Sequence, residues 1–141
     1  MRPLDLSKSF NKFTEIIIKD TIDGIKNGVQ FGHPFKPNER STKDQKGHNL
    51  PLIGKDRSGA WLKKGKYKVE KATATKQRAT VEIPESEIAL INQTSKTHAR
   101  PFWGVSKSAL KSMDNSVNYD IRKYLKKSID DPLLKAGFKK V

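Results

Sequence analysis

Apolar residues recur at helical spacing over residues 7–29. Phe10, Phe13, Ile17, Ile18, Ile22, Ile25 and Val29 fall three or four apart, with one adjacent pair. This single stripe, with Lys8, Glu15, Lys19, Asp23 and Lys26 mostly away from it, predicts an amphipathic helix. Ser7 stands where an N-cap belongs and Gly28 where the helix should stop; Ile16 lies off the stripe. A helix this apolar has to pack, either on a sheet or on a neighbouring subunit. From residue 30 to 59 the period is lost. Gly32, Pro34, Pro37, Asn38, Gly47, Asn49, Pro51, Gly54 and Gly59 predict an extended loop, parts of which Phe31, Phe35, Leu50, Leu52 and Ile53 would pin to a core or a partner.

Period-two alternation appears at 66–83. Tyr67 and Val69 alternate with lysines, and Ala79, Val81 and Ile83 with Thr80 and Glu82, which predicts a hairpin closed by the polar stretch at 73–78. The apolar run Ile88–Ile91 has strand length. A second helical stripe, Leu110, Met113, Val117, Ile121, Tyr124 and Leu125, marks a helix over 106–129, with Ser106 as its cap and Asp130, Asp131 and Pro132 as its stop. Leu133, Leu134 and Phe138 belong to a terminal tail at 130–141, flexible or docked. The expected fold is a single α+β domain over 1–141: a long N-terminal amphipathic helix and a C-terminal helix packed on a small, mainly antiparallel sheet, with the long loop between first helix and sheet.

Composition narrows the function classes. The 141 residues suit one domain with a modest core. The absence of cysteine excludes disulfides, thiol nucleophiles and cysteine-based zinc sites. The start of the chain lacks an apolar core of signal-peptide length, and its longest apolar run, Ile16–Ile18, is far too short to span a membrane. Assembly in the cytoplasm, with no membrane partner, is the expectation. Lysine and arginine total 29 against 15 acids, a formal charge of +14 that attracts polyanions and acidic protein surfaces.

Catalytic patterns are missing. His33, His48 and His98 have no metal-site spacing. Gly54-Lys55 lacks the rest of a phosphate-binding loop, and no serine sits in a nucleophile elbow. Carboxylates such as Asp56, Glu70, Glu82, Glu85 and Glu87 show no marked pair, although an acid pair needs only spatial proximity. No enzyme, metal or cofactor is expected.

The most unusual segment is Ala99–Ser106, where Arg100, Pro101, Phe102 and Trp103 precede Gly104 and open the last helix. One reading is a rigid turn that plants a ring in the core; the other is an aromatic and arginine anchor at a subunit contact. Trp61 reads as a core or hairpin anchor. Lys63, Lys64, Lys66 and Lys68, interleaved with Tyr67, suit either a nucleic-acid face or a strand edge kept soluble by charge.

The Ala99–Ser106 segment resembles the "ARPFLG-S" signature of the phage virion morphogenesis family, which includes tail completion proteins of Mu-like and P2-like phages. Other features follow in the same order: the amphipathic helix leading to Gly28 and Phe31; Pro37, Ser41, Thr42 and Lys46; Asn49–Gly54; and Ile88–Gln93. Asn92 stands where histidine is usual and Trp103 replaces an aliphatic residue, which keeps a related head–tail joining or neck family open. The resemblance implies a non-enzymatic virion protein, assembled in the host cytoplasm and acting in tail completion or head–tail joining. Its implied partners are further copies of itself in a ring, phage tail, connector or neck proteins, and incidentally packaged DNA. Arg100, Pro101, Phe102 and Trp103 would serve the protein interface; Gly28, Pro37, Gly54 and Gly104 would shape turns. The competing reading from charge alone is a basic nucleic-acid-binding protein.

Overall fold

The computed structural model describes residues 2–30, 32–94 and 100–139. Helix α1 spans Ser7–Asn27. Its first turn is tied by the Asp5 carboxylate, which accepts from the Ser7 amide at 2.9 Å, rather than by the Ser7 side chain. The Ser7 hydroxyl, and after it that backbone bond, hold the Asp5 carboxyl below its ordinary value. Gly28 ends the helix in the left-handed region, φ +68°, where its N–H reaches the carbonyls of Gly24 and Ile25.

The 30–59 stretch is more structured than its composition predicts. Strand β1, Val29–Gln30, pairs antiparallel with β2, His33–Pro34. Helix α2, Arg40–Lys46, follows and closes on Gly47. Phe35 and Ile53 are buried and Leu50 and Leu52 pack against them, as the apolar residues of this stretch suggested; Phe31 lies outside the described residues. Two 3₁₀ turns, Ala60–Leu62 and Lys64–Lys66, lead into β3, Lys68–Glu70. β3 pairs antiparallel with β4, Thr80–Glu82, with Val69 opposite Val81, so the predicted hairpin is present.

The run Ile88–Ile91 is not a strand. It lies in helix α3, Ser86–Thr94. Glu87 in the first turn suits the helix N-terminus, and Ala89 and Leu90 are good helix formers. A four-residue apolar run does not by itself separate strand from buried helix.

Helix α4 spans Lys107–Leu125 and is capped by Ser106, whose Oγ accepts from the Ala109 amide at 3.0 Å. The predicted stop at Asp130–Pro132 does not occur. The backbone widens into a π turn over Lys126–Asp130 and continues as α5, Asp131–Lys135. Pro132 sits in the first turn of that segment, where a missing N–H and a fixed φ are tolerated.

The expected packing of both helices on one small sheet is also corrected. α1 and α4 pack directly on each other, antiparallel. Ser9, near the start of α1, meets Ser116 at 2.7 Å and Asp120 at 2.5 Å, while Asp20, near its end, accepts from the Ser106 hydroxyl at 3.3 Å. The strands form two separate two-stranded ribbons, each strand only two or three residues long, too small to cover two long helices. The continuous helical run from Lys107 to Lys135 is the longest in the described chain, longer than α1. Ser9, Thr14 and Thr21 on α1 and Ala109 on α4 are buried, with Ser9 at the crossing, while much of the predicted stripe, Phe10, Phe13, Ile17 and Ile22, is only half-buried. Thr14 and Thr21 satisfy their hydroxyls on the carbonyls of Asn11 and Ile17.

The main core gathers at the C-terminal end of α1. Ile25, Phe35, Ile53, Trp61, Ala89 and Phe102 are its buried members, drawn from every part of the chain before α4.

Candidate protein-interface site

The Arg100–Trp103 segment is held mainly by Gln93, on the last turn of α3. The Gln93 Oε1 accepts from the amides of Phe102 (2.7 Å) and Trp103 (3.3 Å), and its Nε2 donates to the Trp103 carbonyl at 2.8 Å. One amide thus satisfies three backbone groups in a segment that has no ladder of its own. The Arg100 amide donates to the Asn92 carbonyl at 2.7 Å.

The Arg100 side chain crosses to the loop before α2. Its Nε donates to the Lys36 carbonyl (2.7 Å) and its Nη2 to the Pro37 carbonyl (3.2 Å) and to Asn38 Oδ1 (3.5 Å). Burial and the Arg100 charge together push the nearby Lys46 ammonium down. Phe102 is fully buried, 0% exposed, and lies 4.8 Å from Trp61, ring centre to ring centre. Trp61 Nε1 donates to the Pro84 carbonyl at 2.6 Å, and the Tyr67 hydroxyl to the Trp61 carbonyl at 2.6 Å. Burial pushes the Tyr67 phenol up to about 12. Half-buried Trp103 stacks on Tyr67 at 6.0 Å.

Of the four residues expected at an interface, Phe102 is therefore a core residue, and Arg100 directs its Nε and Nη2 inside the chain. Trp103 keeps an accessible edge on an apolar groove between α1 and the hairpin, of ≈ 420 Å³, with Phe10, Phe13, Val81, Gly104 and Val105 around it. Pro101 is exposed. Among the turn residues, Gly54 lies in a tight loop: its N–H donates to the Ser58 carbonyl at 2.8 Å, and a Cβ there would come within 3.1 Å of that oxygen. The Gly54 carbonyl also meets His48 Nε2 at 2.7 Å, while His48 Nδ1 accepts from the Leu50 amide. The neutral Nε2–H tautomer satisfies both bonds, so His48 is a loop clasp.

The lysines do not form one uniform cationic face. Lys63, Lys64, Lys66 and Lys68 are all exposed, but Lys68 faces Glu82 across the ladder. The Asp56 carboxyl, held low mainly by the Ser58 hydroxyl, also feels the Lys63 charge. Tyr67, the ring that would interleave with bases, is buried. No group of three or more metal-ligating side chains occurs among the described residues. No helix there is long and apolar enough to cross a membrane. His98 and Ala99 lie outside the described residues.

Two surfaces escaped the motif reading. One is the helical run past Leu125, whose Lys127, Ser128 and Pro132 border a groove with Arg2, Pro3, Leu4 and Asp5. Leu125, Ile129, Leu133, Leu134 and Phe138 are exposed along it. The other is the start of α3, where Ile88 and Leu90 are exposed beside Glu85 and Glu87. The sequence signal for both was present: Leu125 ends the second stripe, Leu133, Leu134 and Phe138 lie in the expected tail, and Ile88 and Leu90 in the short apolar run. No protein-family model, curated protein or solved structure matches the chain.

Proposed function

We propose that the chain is a non-enzymatic structural protein of a tailed-phage particle, acting in tail completion or head–tail joining through a repeated protein–protein interface. The observation that carries this reading is the Arg100-Pro101-Phe102 signature immediately before the last long helix. It ties the loop at 36–38, the Trp61–Tyr67 segment and α3 into one body. A motif with that architectural task suits a domain type recognised by its signature, with interface chemistry left to the surfaces around it. Exposed apolar residues at α3 and along the C-terminal helix supply surface for assembly contacts.

The test is the mass of the purified protein by light scattering at low and high salt, alone and with a DNA duplex, together with negative-stain imaging. A defined oligomer that survives high salt is the expected result, because an apolar interface is insensitive to screening. A chain that stays monomeric and binds duplex tightly at low salt only would replace this reading with the nucleic-acid one.

A further inference from the structure

The +14 charge makes copies of this chain repel one another, so a contact between copies is favoured where a base-rich region meets one without bases. Residues 79–95 contain no lysine or arginine, and no other stretch of that length is free of them. Glu82, Glu85 and Glu87 lie within it, all exposed, on a groove of ≈ 410 Å³ between β4 and α3 that Lys66 and Lys68 border on the β3 side. Ile88 and Leu90 are 50% and 63% exposed next to these acids.

The C-terminal helical run has the opposite character. Leu125, Ile129, Leu133 and Leu134, with Phe138 just past the last helical turn, are each more than two-fifths exposed and are interspersed with the exposed Lys126, Lys127, Lys135 and Lys139, while the acids of the same stretch, Asp130 and Asp131, are half-buried. Among the described residues, neither these lysines nor the three glutamates form an ion pair.

The two surfaces sit at opposite ends of the molecule. Ala89 of α3 shares the core with Ile25, in the last turns of α1. The C-terminal run departs past Ser9, in its first turn, after the Ser9–Asp120 contact. A helix the length of α1 spans about 30 Å, so the two surfaces do not meet within one chain.

We propose that the C-terminal helical run of one copy, residues 125–138, docks on the Glu82–Leu90 face of the next copy, head to tail; this rests on the structural-assembly reading above. The lysines approach the glutamates while Leu133, Leu134 and Phe138 cover Ile88 and Leu90. A contact that joins one end of each copy to the other end of the next is heterologous. Repeated, it closes into a ring or runs on as a filament.

Two double variants of the full chain test the proposal, each confirmed folded by circular dichroism and measured by sedimentation equilibrium. Leu133→Asp/Leu134→Asp removes the donor surface, and Glu85→Lys/Glu87→Lys inverts the acceptor. Each alone is expected to weaken self-association about tenfold or more, the loss typical of a buried anchor or a reversed interfacial charge. An equimolar mixture is expected to stop at dimers, because each variant keeps the one surface the other lacks. An oligomer whose mass ignores both variants, or a mixture that does not pair, overturns the docking while the assembly reading stands. A monomeric wild type that binds only duplex DNA at low salt overturns both. A wild type that does not self-associate but binds phosphatidylserine vesicles through the same leucines overturns the docking in favour of a lipid surface.

Discussion

Phe102 decides more than any other side chain how this molecule is held. It is fully buried against Trp61, between α3 and the segment that opens α4. Phe102→Ala is expected to cost about 3–5 kcal/mol of unfolding free energy in a urea titration, by transfer and cavity terms together. A cost under about 1 kcal/mol would show that the ring is not a core anchor. Tyr67 carries a pH signature. Its phenol ionises near 10 in an unfolded chain and is raised to about 12 in the fold by burial. A raised acid pKa means that ionisation favours unfolding, so this contribution is intact below pH 10 and fades as pH rises from 10 towards 12. Tyr67→Phe is expected to remove part of the alkaline loss of stability, read as the difference between the two proteins' unfolding curves over that range. Identical pH dependence for both would contradict the assignment.

At the scale of elements, Gly24 shows how packing reverses a propensity argument. Gly→Ala inside an exposed helix normally stabilises by about 1 kcal/mol. Here a Cβ would meet the Gln30 side chain at 2.0 Å and the Val29 carbonyl at 2.8 Å. The amide can swing away, but the backbone oxygen is fixed by the turn at Gly28. Gly24→Ala is therefore expected to destabilise by about 1–3 kcal/mol, the usual cost of overpacking, and a higher melting temperature would refute the close approach of β1 to α1. The C-terminal run behaves differently. Leu133, Leu134 and Phe138 are exposed, so removing residues 131–141 is expected to change stability by less than about 1 kcal/mol while weakening self-association. A large drop in melting temperature would mean that this segment belongs to the folded core.

At the scale of the whole molecule, charge sets the background against which any contact works. With +14 in all, the protein attracts polyanions without requiring a dedicated site. The exposed lysines at 63, 64 and 66 are part of that field, with no accessible ring among them for stacking. Lys63→Glu/Lys64→Glu/Lys66→Glu is expected to lower duplex affinity and its salt slope while leaving the oligomer's mass unchanged, as measured by fluorescence anisotropy and light scattering. Loss of the oligomer in that variant would place the lysines inside the interface instead. The longest base-free stretch and the Lys-rich helical run lie at opposite ends, a polarity that suits directional assembly over random aggregation.

Local periodicity determined that most of 7–29 and 106–129 is helical and that 66–83 folds as a hairpin, while it left open whether Phe35, Ile53, Trp61 and Phe102 meet the core or a partner. These features follow from spacing and side-chain size, which neighbours in sequence settle. Tertiary structure decided the rest. Whether the stripe of α1 meets a sheet or another helix depends on contacts such as Ser9 with Ser116 and Asp120 and Asp20 with Ser106, between residues far apart in the chain. Ile88–Ile91 reads equally well as strand or helix until Ala89 finds its place beside Ile25. Helical structure passes Pro132 because a π turn places that proline in the first turn of a new segment, where a fixed φ and a missing N–H are tolerated. Arg100 looked like a surface anchor because sequence shows its donors but not the carbonyls of Lys36 and Pro37, which long-range folding brings within reach.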